Sequence, residues 1–370
     1  MSTDVLTPVP AGTDGATQRL ARPVRIADQK WPEGTAPVLS ICCAAYNHAR
    51  FIRECLDGFL MQETTFPVEI LLHDDASTDG TADIIREYEA RYPQAIKPVY
   101  QKENQYSKGT GDLFSLKRAT GDYLAVCEGD DYWTDPVKLQ TQVDFLDRNP
   151  DYVICYHDAM IVDEAGKVVS ESKLSEDCKK DFSSAELMKG AWTLNLSRVA
   201  RNPSKLARKE PPPQPVRILN SDIIWTVLLG KYGKGKYLPE IRPAVYRLHP
   251  GSIWSSLDYN SQQYENFNSF LHIYLLHVRT TGKDFAVEFL FERVFPIFMR
   301  MFQDTNPACA LRRDKEAAEQ RARELEQRLR EVMEIDHSKS YTYRVGAVIL
   351  WPLKKLRSLW RAVNNRAAAR

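Results

Sequence analysis

The stretch GDYLAVCEGDDYW, residues 121–133, decides how the chain is read. Its first half, DYLAV, is an apolar run of strand length. Its second half sets three carboxylates, Glu128, Asp130 and Asp131, within four residues at the strand's end. Crowded carboxylates repel and raise one another's pKa. A cation or a set of hydrogen-bond donors must offset that cost, unless the acids are fully solvated.

Working outward, apolar strands alternate with helical periods. VLSICCAA (38–45) reads as a buried strand, and ARFIRECLDGFLMQ (49–62) as a helix through Ile52, Leu56, Phe59 and Leu60. VEILLHD (68–74) is a second strand and TADIIREYEARY (81–92) a second helix, opened by Asp79-Gly80. IKPVYQ (96–101) and DYLAVCE (122–128) are further strands. PVKLQTQVDFLDRN (136–149) is a helix with Pro at its start. DYVICYHDAMIVDEAGKVV (151–169) is a strand and then a hairpin turning near Glu164-Ala165-Gly166. The alternation predicts an α/β fold with a mostly parallel sheet flanked by helices. Ligands in such sheets sit beyond the carboxyl ends of the strands. That rule gathers Tyr46-Asn47, Asp74-Asp75 and the Glu128–Asp131 cluster at one rim.

The composition fits a globular protein: 43% hydrophobic, 27% charged and a formal net charge of +1. Such a balance excludes a polyanion binder, and nucleic acid is not an expected partner. Seven cysteines without metal-type spacing point to a reducing compartment. No signal peptide or spanning run is expected.

Residues 1–35, rich in Pro, Gly, Thr and Ala, read as a disordered tail. Residues 36–255 form the main domain. Within it KEPPPQPVR (209–217) is an extended loop, NSDIIWTVLLGKYG (220–233) a helix capped by Asn220 or Ser221, and KYLPEIRPAVYRLHPGSIW (236–254) two short strands and a turn. Residues 256–307 are an aromatic-rich helical extension. Over 308–336 a 4-3 apolar spacing suits either a coiled coil, hence a homo-oligomer, or a lone amphipathic helix. Residues 337–370 are basic with Trp351 and Trp360. They suit an anionic membrane surface, or a helix packed on the chain's own body or on a partner.

The segments LSICCAAYNHARFIRECLDGFLMQ, VEILLHDDASTDGTADII, GDYLAVCEGDDYW and, more loosely, 220–252 resemble the family 2 glycosyltransferases, which have the GT-A fold. The resemblance implies an inverting, metal-dependent transfer from a UDP-sugar, ahead of a dTDP-sugar, to a hydroxyl. It places Asp75 on the uracil N3–H, with Asp74 beside it and the Ala44, Tyr46 and Asn47 turn on the pocket's other side. It makes EGDD the motif that binds Mg²⁺ or Mn²⁺ and the donor, through Asp130 and Asp131, with Glu128 standing where many members carry Asp. Asp222 matches the catalytic base, although Ser221 replaces the acid that often precedes it. Arg247 and His249 match a loop closing over the diphosphate, with His249 on phosphate or metal. Ser77, Thr78 and Asp79 read better as helix-capping residues, and Trp133 as core.

The implied acceptor is a glycan or lipid-linked intermediate of surface polysaccharide assembly. The expected location is the cytoplasm, peripheral to the inner membrane face. Two other readings compete. One is a catalytically inactive GT-A-like scaffold; the full set of acids argues against it. The other is a nucleotidyltransferase, for which AAYNHARF offers no Gly-rich, basic triphosphate loop.

Overall fold

The computed structural model describes residues 18–106, 117–206 and 220–303. Among them the strands are, in chain order, β1 (Val24–Arg25), β2 (Leu39–Ala45), β3 (Glu63–Thr64), β4 (Val68–Asp74), β5 (Ile96–Tyr100), β6 (Tyr123–Val126), β7 (Tyr152–Tyr156), β8 (Ala159–Val162), β9 (Val168–Ser170), β10 (Val199–Arg201), β11 (Lys234–Tyr237) and β12 (Ala244–Arg247). Seven of them form one sheet in the order β11-β7-β10-β6-β2-β4-β5. β2 runs parallel to both β4 and β6, and β4 parallel to β5. A second sheet, β12-β8-β9, carries the predicted hairpin, turning at Gly166 with φ +83°.

The central strands are largely apolar because both faces of the sheet are covered, and two polar exceptions, Ser40 and Glu69, hydrogen-bond each other at 2.7 Å. Every residue of β4 and all but Ala44 of β2 are buried. The helix Ile52–Leu60 turns Ile52, Cys55, Leu56 and Phe59 inward at a spacing of three and four. Phe59 meets Trp133 at 4.8 Å between ring centroids. Trp133 is fully buried beneath the acidic loop, and its indole N–H donates to the Leu196 carbonyl at 2.6 Å. It is a core residue, as the sequence indicates.

Two features depart from the sequence reading. β10 enters the sheet antiparallel, between β6 and β7. Three residues are too few for a periodic signal, and its pairing is made by backbone alone. Residues 18–35 are not a disordered tail: β1 pairs with β3 through Val24↔Thr64 and Arg25↔Glu63, and Ile26 is buried. The Gln29 amide donates to Val24 O and Thr64 O, so the segment is held by pairing to a distant loop. The expected helical extension is present, and as far as Met301 it falls in the same compact unit as the sheets. Its helices are Tyr259–Thr280, Lys283–Phe289 and Phe295–Gln303, and buried His277 ties the first of them to the Met188 carbonyl at 2.8 Å. The coiled-coil and membrane readings of 308–336 and 337–370, and the loop 209–217, lie outside the described residues. No helix among the described residues is long and apolar enough to cross a membrane.

Gly121 shows how tightly β6 starts against β2. A Cβ there would lie 2.7 Å from Ser40 N and 2.9 Å from Leu39 backbone atoms. Backbone cannot yield as a side chain can. Gly121→Ala is therefore expected to lower unfolding stability by about 1–3 kcal/mol, read from urea denaturation. An unchanged midpoint would show that the strands separate freely here.

Candidate active site

The parallel registers bring three strand ends together. Ala45 pairs with Asp74, Asp75 N–H donates to Ala45 O at 2.9 Å, and Gly129 N–H donates to Ala44 O at 2.9 Å. A cavity of ≈ 720 Å³ opens over this rim, and Asp75, Glu128, Asp130, Asp131 and Asp222 all line it. Ala44 and Tyr46 line it too, and Tyr46 is 45% exposed, open to a ligand.

Asp75 is buried, and its carboxylate is held by backbone. Gln105 N–H donates to Oδ1 at 2.7 Å and Tyr106 N–H to Oδ2 at 2.9 Å. Oδ1 also lies 3.4 Å from the buried His73 Nε2, so Oδ2 is the oxygen with a second lone-pair direction to offer. Asn104 and Tyr106 complete this end of the cavity. Asp74 is buried outside the lining, and its Oδ1 has no hydrogen-bond partner among the described residues. Asn47 is also outside it. It takes a left-handed φ of 57° and its Oδ1 accepts from Thr78 N–H at 2.8 Å. Ser77 Oγ accepts from Asn47 N–H at 2.9 Å, and Asp79 accepts from Ala49 N–H and Thr81 N–H. These residues staple two turns together.

At the acidic loop the repulsion anticipated from sequence is present. Burial, then the charges of Asp130 and Glu128, push the Asp131 carboxyl well above the ordinary range, against the Arg247 backbone N–H that donates to Oδ1 at 2.9 Å. Burial also pushes Asp130 up, but His249 and His48 outweigh it and hold that carboxyl below the ordinary range. His249 Nε2 lies 2.9 Å from Asp130 Oδ2, and His48 Nε2 lies 3.8 Å from the same atom. Burial pulls the His48 imidazole below its usual value, so it is neutral at neutral pH. Asp130 Oδ1 and His48 Nδ1 are buried without a hydrogen-bond partner among the described residues. Each such orphan costs about 1–3 kcal/mol. A carboxylate oxygen left bare beside two imidazoles fits a divalent cation. Asp131, which the sequence reading also places on the metal, spends one oxygen on Arg247.

β12 delivers His249 to this loop. Tyr132 and Val245 exchange both backbone hydrogen bonds, at 3.2 and 2.8 Å. Arg247 then turns away from the cavity. Its Nη2 meets Glu54 Oε2 at 2.6 Å, its Nε donates to Asp130 O at 3.2 Å, and its guanidinium lies over Phe51 at 4.8 Å. It braces the loop from behind.

Across the cavity, Asp222 stands in the first turn of the helix Ser221–Gly230. Burial pushes its carboxyl up, and buried Arg198 opposes this without reversing it. Asn220, at the cap position, instead donates to Asn266 Oδ1 at 2.9 Å. Sequence reasoning did not single out several lining residues: His48, Tyr106, Lys173, and the indoles Trp192, Trp225 and Trp254. Only His48, next to Asn47 at a strand end, carried a positional signal.

A mixed α/β sheet with acids at its strand tips and a cleft above them is the architecture of the GT-A fold. Residues 40–181 match the model of glycosyl transferase family 2. An uncharacterized protein of Mycobacterium tuberculosis, Rv1520, is 40% identical over 229 residues, covering 59% of this chain and 61% of that one. The chain therefore spans about three-fifths of that relative's length. The UDP-Glc:alpha-D-GlcNAc-diphosphoundecaprenol beta-1,3-glucosyltransferase WfaP of Escherichia coli is 36% identical over 112 residues, 30% of this chain and 41% of WfaP. Among solved structures, S. aureus TarS 1-349 superposes with a TM-score of 0.54 at 15% identity, over 75% of this chain and 76% of that one. At that identity the likeness concerns the fold alone.

Proposed function

We propose that the protein is an inverting glycosyltransferase that takes a sugar from a UDP-sugar to a hydroxyl of a glycan or lipid-linked acceptor. The observation that carries this reading is the single cavity in which Asp75, the Asp130–Asp131 pair and Asp222 face one space from three separate parts of the chain. Asp75 accepts from the uracil N3–H, an imide donor that cytosine lacks. The Tyr46 and Tyr106 rings flank the base end. Asp130 and His249 hold a divalent cation, Mg²⁺ or Mn²⁺, with Asp131 beside it. When bound, that cation neutralises charge developing on the leaving diphosphate. Lys173, its ammonium 3.6 Å from the Tyr246 ring centroid, lies at the same end, where burial lowers its pKa and Asp131 opposes that. Asp222 takes the proton of the acceptor hydroxyl as that oxygen attacks the anomeric carbon from the face opposite the nucleotide. Trp192, Trp225 and Trp254 give the acceptor side broad apolar walls with few polar groups, as small-molecule sites have. The acceptor named for WfaP is a lipid-linked sugar, which supports an acceptor of that class here.

A donor panel with Mn²⁺ or Mg²⁺, read by nucleotide release, tests the reading. UDP is expected from at least one UDP-sugar, with loss in Asp131→Ala. Release confined to GDP- or CDP-sugars would remove Asp75 as a uracil reader.

A further inference from the structure

Among the described residues, one group of potential ligand side chains gathers its donor atoms within 4.8 Å: His48, Asp130 and His249. They come from the turn after β2, the acidic loop after β6 and the loop after β12. Each is placed by its backbone. His48 N–H donates to Thr81 Oγ1 at 2.8 Å, and its carbonyl accepts from Phe51 N–H at 2.9 Å and Ile52 N–H at 2.8 Å. The acidic loop closes on this imidazole because Gly129 has no side chain. A Cβ there would stand 2.9 Å from His48 Nδ1 and 2.8 Å from Ile52 Cδ1. The His249 ring packs on Phe51 at 4.9 Å and stands edge-on to the His48 ring at 6.0 Å.

The two rings approach Asp130 Oδ2 differently. His249 Nε2, at 2.9 Å, is within hydrogen-bond range; His48 Nε2, at 3.8 Å, is beyond it. The His48 ring thus points at the carboxylate without bonding to it, although its side chain is only 12% exposed. Donors about 2.1 Å from a common metal ion stand about 3.0–3.5 Å apart when they are neighbours around it. The two observed spacings bracket that range. A hydrogen-bonded cluster with no ligand in view would not leave Asp130 Oδ1 bare.

We propose that His48 is a third protein ligand of the metal, so that two imidazoles and one carboxylate hold the ion and select Mn²⁺ or Co²⁺ over Mg²⁺. Mg²⁺ favours oxygen donors and keeps its waters, whereas later first-row ions accept imidazole nitrogen readily. Three protein ligands would leave coordination positions open for oxygens of the donor. The inference rests on the reading of Asp130 and His249 as metal ligands, but not on sugar transfer.

The test uses the full chain with Mn²⁺ alone, without nucleotide. Pulsed electron paramagnetic resonance counts the directly bound ¹⁴N nuclei. Two are expected in the wild type and one in His48→Ala and in His48→Gln, with folding confirmed by circular dichroism. The Mn²⁺ dissociation constant should rise about tenfold or more in either variant, and the wild type should prefer Mn²⁺ to Mg²⁺. Two nitrogens persisting in both variants, no binding at millimolar Mn²⁺, or equal affinity for Mn²⁺ and Mg²⁺ would each overturn the proposal. A protein that binds Mn²⁺ through two nitrogens yet turns over no donor keeps this site and loses the transferase reading.

Discussion

Asp222→Asn is expected to lose transfer by about 10²–10⁴-fold, the range general base catalysis supplies, while becoming more stable at neutral pH. Both effects come from one carboxyl in one place. Burial pushes the Asp222 pKa above the usual range, and Arg198 only partly restores it. A raised folded-state value means the fold prefers the protonated form. The stability linked to that preference is complete below the unfolded-state value, near 4, and is lost as pH rises through the folded value. At neutral pH the ionised acid is therefore a cost, which the neutral amide removes. The Asp222 carbonyl that Arg198 Nη1 meets at 3.2 Å is unchanged by the substitution. In the wild type the acid limb of kcat/KM should lie above the ordinary aspartate value, and in the variant that limb should vanish. A variant that lost stability along with turnover would make Asp222 a structural helix-start acid instead of a base. Full activity in the variant would remove it from the mechanism.

How much of this was legible beforehand depends on how local each signal is. The rim was legible because β2, β4 and β6 each announce themselves by a mostly apolar run ending in polar residues. Parallel pairing then fixes which ends meet. Asp75, Asp130 and Asp131 fall together for that reason. Long-range pairing hid the rest. β10 has three residues, and β1 has two held by a loop 38 or more positions away. Arg247 reads as a phosphate ligand until Glu54, 193 positions earlier, is seen to hold its guanidinium. Asn47 and His48 show the limit most clearly. Sequence favoured Asn47, but its amide oxygen is used in stapling the Ser77–Thr81 turn. The neighbouring imidazole is the side chain that reaches the acids. One residue's shift along a turn reverses which side chain faces the ligand, and only the left-handed φ at Asn47 reveals it.

Replacing Asp130 should be the most damaging single change at the acidic loop. Asp130→Asn keeps the size and one acceptor oxygen but removes the negative charge between His48 and His249. The amide also turns one former acceptor position into a donor, facing ring nitrogens that can no longer be bridged through an anion. Neutralising charge on a leaving diphosphate is worth several kcal/mol, so turnover with metal should fall by about 10³-fold or more. The loss should remain when Mn²⁺ is raised, because the ion's anchor is gone, not merely weakened. Asp131→Asn should behave differently. Burial and its acidic neighbours already raise its pKa, so loss of its charge costs less, and its Oδ1 accepts from Arg247 N–H, a bond the amide oxygen preserves. The smaller loss there should be partly recovered by added metal. Measuring nucleotide release against Mn²⁺ concentration in both variants separates the two roles. If Asp131→Asn proved the more severe and the less rescued, the ion would sit on Asp131, and the cluster around Asp130 would be a hydrogen-bonded brace.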